Sequence, residues 1–288
     1  MARRKHHTAI CAIAKDEDAY VLEWAAYHLA LGFDHIYLYD NMSRVPLQQH
    51  LSAPEARAHV TVIRWPSIPD RDSQLAAYEH FLWTHGWDVD WTAVIDLDEL
   101  INLKRHATIG AFLAPFHDAT GVALNWRFFG SGGATAHRPG LMMERFTKAA
   151  PPAFGPNQTV KAVYRTAEVV RLCHHISGYR AEPRVRAADG TPVANEPQIP
   201  VTEASLEVAQ INHYFVKSRE EWQRKVARGY TWTVADRSEA FAEYDRNECE
   251  DAGILARKAE TERWMARLAS PRARLRRQLA SALTPWRR

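Results

Sequence analysis

Asp96, Leu97 and Asp98 follow directly on the apolar run Ala93-Val94-Ile95. A short apolar run of this kind reads as the end of a buried strand. On an extended backbone, side chains two residues apart point the same way. Asp96 and Asp98 would then leave the strand end together, with Leu97 facing the core. Two carboxylates this close repel unless a cation sits between them. Hard oxygen ligands suit Mg2+ or Mn2+. An ion held by two carboxylates alone keeps open positions, which a substrate diphosphate commonly fills. The competing reading is a polar strand end that simply enters a turn.

The elements needed to position such a pair are legible around it. Strands are expected over 8–14, 35–39, 60–64 and 92–95, with helices near 19–31, 47–51 and 71–84 between them. In the first helix Leu22, Ala25, Ala26 and Leu29 recur at helical spacing, and Gly32 is the expected stop. The order β-α-β-α-β-α-β implies a mostly parallel sheet with helices on both faces. Such sheets bind ligands at the carboxyl ends of their strands. Three polar clusters fall at those ends: Lys15-Asp16-Glu17, Asp40-Asn41-Met42-Ser43 and Asp96-Leu97-Asp98. No G-x-G-x-x-G follows the first strand and no G-x-x-x-x-G-K-[ST] occurs, which argues against a dinucleotide or P-loop site.

Farther along, strands are expected over 121–126, 160–165, 169–173 and 208–215. The third of these ends at His174-His175. Trp126, Phe128 and Phe129 beside Gly130, Gly132 and Gly133 suggest a mobile loop with flat apolar faces, and a pyranose ring stacks well on such a face. A core aromatic cluster on a glycine turn is the alternative. Residues 181–200 read as a long loop or weak hairpin. Ser218 with Glu221 three residues later is a capping box for a helix over 218–227, and helices follow over 238–244 and 252–268. The expected organisation is one domain over 1–270 and a basic amphipathic tail over 271–288.

Apolar residues make up 46% of the 288 and charged residues 25%, which suits a globular chain. The net charge of +3 comes from the tail, where Arg272, Arg274, Arg276, Arg277, Arg287 and Arg288 meet no acid. The remainder is slightly acidic, which excludes a basic nucleic-acid-binding face. Three separated cysteines, Cys11, Cys173 and Cys249, give no disulfide framework or zinc pattern and point to a reducing compartment. Neither a signal peptide nor a membrane span is expected. The tail places Leu275, Leu279 and Leu283 on one stripe, with Trp286 beyond, a pattern suited to an anionic membrane surface. The expected location is therefore cytoplasmic, with possible peripheral contact at the inner membrane face through 271–288.

Taken in order, AKDE after the first strand, EWAAYHLALGFDHIYLYDN, VIDLDEL, NWRFFGSGG, VK, CHH, NHYFVKS and KVARG resemble the family-2-like and family-92-like glycosyltransferases of the GT-A fold. The similarity runs from about Thr8 to Asp251. The resemblance implies a Rossmann-like, mostly parallel sheet flanked by helices, with a C-terminal helical region. It also implies a nucleotide-sugar donor, usually UDP-linked, and Mn2+ or Mg2+ at the D-x-D. The acceptor would be a glycan or a lipid-linked molecule, as in polysaccharide biosynthesis. By position, the donor set is Lys15, Glu17, Asp40, Gln74, Asp96, Lys217 and Lys225, with Asp40 at the nucleobase. Asp96, Asp98 and His174 would hold the metal, His175 being the alternative histidine. Trp126, Phe129 and Gly130 would face the acceptor.

The chemistry of the residues agrees. Breaking a sugar–diphosphate bond develops negative charge on the leaving phosphate, which a metal and cations such as Lys217, Lys225 and Arg228 would stabilise. An inverting reaction also needs a carboxylate base near the acceptor hydroxyl. Glu99 and Glu144 are candidates by position, and Asp245 is a third. Two other classes compete. One is a phosphatase of the haloacid dehalogenase type with Asp96 as nucleophile, although Leu100 stands where that class usually has Thr or Val. The other is a non-catalytic carbohydrate-binding relic, although no carboxylate or histidine is missing.

Overall fold

The computed structural model describes residues 4–67, 70–175, 177–193, 204–229 and 240–269. In chain order the elements are β1 (His6–Ala14), α1 (Val21–Ala30), β2 (His35–Asp40), α2 (Pro54–His59), β3 (Val60–Arg64), α3 (Ser73–Thr84), β4 (Val89–Val94), β5 (Glu99–Leu103) and α4 (Ile109–Leu113). Then come β6 (Gly121–Phe128), α5 (Met142–Arg145), β7 (Lys148–Ala149), β8 (Val160–Arg165), β9 (Val169–Arg171), β10 (Gly178–Tyr179) and β11 (Val185–Ala187). The last are β12 (Ala209–His213), α6 (Arg219–Arg228), α7 (Ala240–Tyr244), β13 (Cys249–Glu250) and α8 (Lys258–Leu268).

The main sheet runs β3-β2-β1-β4-β8-β6-β12-β5, with β11 added beside β6. Its first four strands are mutually parallel, as the alternating pattern implies. β8 runs antiparallel to both β4 and β6, so β6 is again parallel to β1, and β12 is parallel to β6. The carboxyl ends of β1, β2, β4, β6 and β12 therefore share one edge of the sheet, and the start of β8 joins them there.

β1 alternates between two cores. Ile10 and Ala12 pack with α1, α8 and β5, whereas Ala9, Cys11 and Ile13 pack with Tyr78 and Phe81 of α3. The expectation of helices on both faces is met. α1 lies so deep that Val21 through Leu29 are all buried. Trp24 and Tyr27 on it donate to the main chain of β5 and the turn before it, with Trp24 Nε1 2.9 Å from Asp96 O and Tyr27 Oη 2.7 Å from Ile101 O.

One feature departs from the sequence reading. Asp96-Leu97-Asp98 is a turn and not an extended strand end. It leads from β4 to β5, which lies at the far side of the sheet beyond β8, β6 and β12. The apolar run after the motif is thus a strand of its own, antiparallel to β12. Within 181–200, read as a long loop or weak hairpin, the described residues take the hairpin form: Ala187 N–H donates to Thr191 O at 2.8 Å and Val193 N–H to Val185 O at 3.0 Å, and 185–187 also join the main sheet as β11. The tail over 271–288 lies outside the described residues. No helix among the described residues is long and apolar enough to cross a membrane.

Candidate active site

Four carboxylates and four cations meet at the carboxyl edge of the sheet. Asp96 Oδ2 accepts from Lys161 Nζ at 2.8 Å, and Asp96 Oδ1 accepts from Gln74 Nε2 at 3.1 Å. Lys161 stands at the start of β8 with its side chain 3% exposed, whereas that of Asp96 is 33% exposed. Burial would lower the Lys161 ammonium, but Asp96 and Glu99 outweigh it and hold it above its ordinary value.

Glu99 is fully buried beneath the turn. Its Oε2 accepts the Asp96 N–H at 2.9 Å, and its Oε1 lies 3.7 Å from Lys161 Nζ. Burial pushes its carboxyl above the ordinary range, with Lys161 opposing and Asp96 and Asp98 adding to the rise. Glu99 thus shapes the acidic turn from below. Asp98 Oδ2 accepts from Lys225 Nζ of α6 at 2.7 Å, and Asp98 Oδ1 is 3.8 Å from His213 Nε2. Burial would raise the Asp98 carboxyl, but the Lys225 ammonium, with Lys217 behind it, holds it well below the carboxylate range. Burial pushes the His213 ring down to about 3, so it stays neutral, and its buried Nδ1 has no hydrogen-bond partner among the described residues.

Glu17, just past β1, accepts from Arg228 Nη1 at 2.7 Å and lies 3.4 Å from Lys217 Nζ. The Lys217 ammonium sits 4.1 Å above the centre of the Tyr20 ring, a favourable place for a cation. α6 brings Lys225 and Arg228 to this edge because its first turn is fixed by the Ser218–Glu221 capping box. Asp16, Met42 and Lys217, each just past a strand end, hold positive φ (53°, 56° and 53°). Side chains rarely adopt that conformation outside sites whose surroundings impose it.

The remaining candidates are placed as follows. Lys15 lends its carbonyl to Arg228. The two oxygens of Asp40 accept the N–H groups of Ser43 (2.9 Å) and Leu47 (3.0 Å), so its carboxylate orders the loop after β2. His174 Nε2 lies 3.0 Å from Oδ2 of Asp72, the N-cap of α3. His175 Nδ1 meets Val160 O at 3.1 Å. Glu144 pairs with Lys258 of α8 at 2.5 Å. Asp245 accepts from Ser131 N at 2.6 Å and Ser131 Oγ at 3.1 Å, clamping the glycine loop.

Phe129 is fully buried against Tyr214, with ring centres 5.0 Å apart, so it belongs to the core alternative and offers no open face. Gly130 is buried beneath Arg246 and Asn247. Trp126 is partly exposed and tilts over His213 at 4.4 Å. The structure therefore joins Asp96, Asp98, Gln74, Glu17, Lys217 and Lys225, and it leaves Glu144 and His174 on other contacts. Lys161 and His213 carried no role in the sequence reading. A lysine inside the apolar strand Val160–Arg165 was the available signal, since a buried charge needs a partner.

The donor set fits a divalent ion shared with a ligand. Asp98 is ionised, Asp96 is partly exposed, both offer hard oxygens, and a neutral imidazole lies beside them. Among the described residues no cluster of three His, Cys, Asp or Glu side chains closes a metal cage.

This curled, mostly parallel sheet with an acidic turn at its carboxyl edge is a fold of the GT-A glycosyltransferase class. Residues 6–250 match Glycosyltransferase family 92, and the chain belongs to that family. Among similar curated proteins, a family 92 protein of Oryza sativa subsp. japonica is 26% identical over 108 residues, covering 37% of this chain and 18% of the relative. One from Arabidopsis thaliana is 25% identical over 107 residues, again 37% and 18%. The matched stretch is thus under a fifth of each relative's length. Among solved structures, glucosyl-3-phosphoglycerate synthase from Mycobacterium tuberculosis, in complex with Mn2+, UDP-glucose and phosphoglyceric acid, is 14% identical, with a TM-score of 0.32. That alignment covers 57% of this chain and 58% of the other. A likeness this slight carries nothing about chemistry.

Proposed function

We propose that the chain transfers a sugar from a nucleoside-diphosphate donor, UDP-linked by preference, to a glycan or lipid-linked acceptor. The observation that carries this reading is the charge arrangement at the sheet edge. Asp96 and Asp98 sit on a turn fixed from below by Glu99 and Trp24, with Lys217, Lys225 and Arg228 gathered beside them. Family membership supports the reaction class.

In this reading Asp96 and Asp98 hold Mn2+ or Mg2+, which would supply Lewis-acid stabilisation to the leaving diphosphate. Lys217, Lys225 and Arg228 add positive charge where the diphosphate lies, in a buried setting where such contacts are strong. Gln74 and Lys161 orient Asp96. His213 lies beside Asp98, while His174 pairs with Asp72 at the start of α3. Asp40 holds the loop after β2 in the shape that would flank the base. Trp126, partly exposed at the end of β6, is the aromatic face left for an acceptor sugar. The catalytic unit is the single domain 1–270, with the tail as a separate basic segment.

A test is donor turnover with a panel of nucleotide sugars, with Mn2+ present and absent. Release of the nucleoside diphosphate from one sugar class, dependent on the ion, is the expected result. Absence of turnover and binding for every nucleotide sugar would reject the reading. Phosphate release from simple phosphomonoesters instead would favour Asp96 as a phosphatase nucleophile.

A further inference from the structure

The two carboxylates of the acidic turn each have a lysine, and the two lysines differ. Lys161 is rooted in β8, between β4 and β6 in the middle of the main sheet. It touches Asp96 at 2.8 Å and lies 3.7 Å from Glu99, and it is buried among groups that all favour its charge. Lys225 stands in the last turn of α6, its side chain 14% exposed. It bonds Asp98 at 2.7 Å and the Phe215 carbonyl at 3.0 Å, and it rests 4.1 Å over the Phe215 ring. Burial and the neighbouring Lys217 both work against its charge, with Asp98 opposing them. One lysine is therefore built in. The other reaches in from a helix, has one carboxylate as its bonded anionic partner, and is crowded by a second ammonium.

A divalent ion bound to Asp98 through either oxygen would share the carboxylate that Lys225 now holds at 2.7 Å, the neutral His213 ring lying 3.8 Å from the other oxygen. Two cations on one buried carboxylate repel strongly. We infer that Lys225 is an exchangeable counter-cation: it neutralises Asp98 while the site is empty of donor and moves to the donor's diphosphate when a divalent ion binds Asp98, whereas Lys161 remains on Asp96 throughout. This inference rests on the donor-site reading above. It adds that metal and lysine compete at Asp98 and that the lysine's second position is on the nucleotide. Its consequence is a pair of effects of opposite sign from one substitution.

Mn2+ binding to the full chain without nucleotide, and UDP binding at saturating Mn2+, are measured by titration calorimetry for the parent, Lys225→Met, Lys225→Gln and Asp98→Asn. Removing the competitor should tighten Mn2+, while losing one charge-assisted contact should weaken UDP by roughly tenfold. Metal-free Lys225→Met should also melt below the parent and regain more on adding Mn2+, because Asp98 is left buried without its partner. Lys225→Gln, which keeps a hydrogen-bond donor, should show the same signs in smaller measure. If Asp98→Asn loses Mn2+-dependent UDP binding while both Lys225 variants bind Mn2+ no better than the parent, the exchange is overturned and the donor site stands. If Asp98→Asn binds Mn2+ and UDP like the parent, the donor reading itself fails.

Discussion

His28 is a polar side chain with no exposure, and its two ring nitrogens define its state. Nδ1 lies 2.9 Å from Trp24 O, and Nε2 faces the Ile101 N–H at 3.4 Å. One nitrogen donates and the other accepts, which only a neutral ring can do. Burial pushes its pKa down to about 3. A histidine held neutral contributes stability that is complete above its unfolded pKa near 6.5 and is lost as the pH falls toward 3, at about 1.4 kcal/mol for each pH step. The melting temperature should therefore fall between pH 6.5 and pH 4, and His28→Gln should melt lower at pH 7 but with a shallower pH dependence. Identical pH slopes for the two proteins would remove His28 from the account. Asp40 makes a second case. With both oxygens on loop N–H groups, Asp40→Ala should cost about 2–3 kcal/mol of stability and weaken UDP and CDP alike. Loss confined to UDP would mean that Asp40 reads the base directly.

Among the elements, the glycine loop after β6 gives the sharpest contrast. A Cβ on Gly130 would lie 2.4 Å from Arg246 O and 2.4 Å from Asn247 Oδ1, where the backbone has no room to yield. Gly130→Ala should lose about 1–3 kcal/mol and release the clamp that Asp245 and Asn247 make on Ser131 and Gly132. Gly110 on α4 faces open space, so Gly110→Ala should be neutral or gain up to about 1 kcal/mol. Chemical denaturation of both variants reads the difference. The elements up to β4 were legible because each amphipathic run is bounded by its own turn signals, and Val60–Arg64 and Val160–Arg165 fell on the expected residues. What the sequence hid was long-range. The direction of β8, which delivers Lys161 to Asp96, depends on its pairing with β4 and β6, and no local pattern encodes that. The turn form of Asp96-Leu97-Asp98 was hidden because β5 pairs with β12, more than a hundred residues later. Phe129 looked like an open aromatic face because periodicity cannot tell one face of a strand from another once both are covered.

At the scale of the whole molecule, the sheet gathers residues from Glu17 to Arg228 onto one edge, and the family match spans 6–250 of the same chain. The tail is a separate matter. If its Leu275, Leu279 and Leu283 stripe lies on acidic lipid, with each arginine worth about 1 kcal/mol there, the whole chain should sediment with vesicles containing anionic lipid. A chain ending at Ser270 should then stay in solution. Equal sedimentation of the two would leave the tail a structural cap. If the acidic turn is the metal-dependent donor site, the thermal stability of the parent and of Asp98→Asn with UDP, with and without Mn2+, will separate the two proteins. UDP with Mn2+ should stabilise the parent, by about 2.7 kcal/mol at a hundredfold excess over Kd, and leave Asp98→Asn unmoved while its ligand-free transition stays cooperative. An equal shift in the two proteins would contradict that role for the turn.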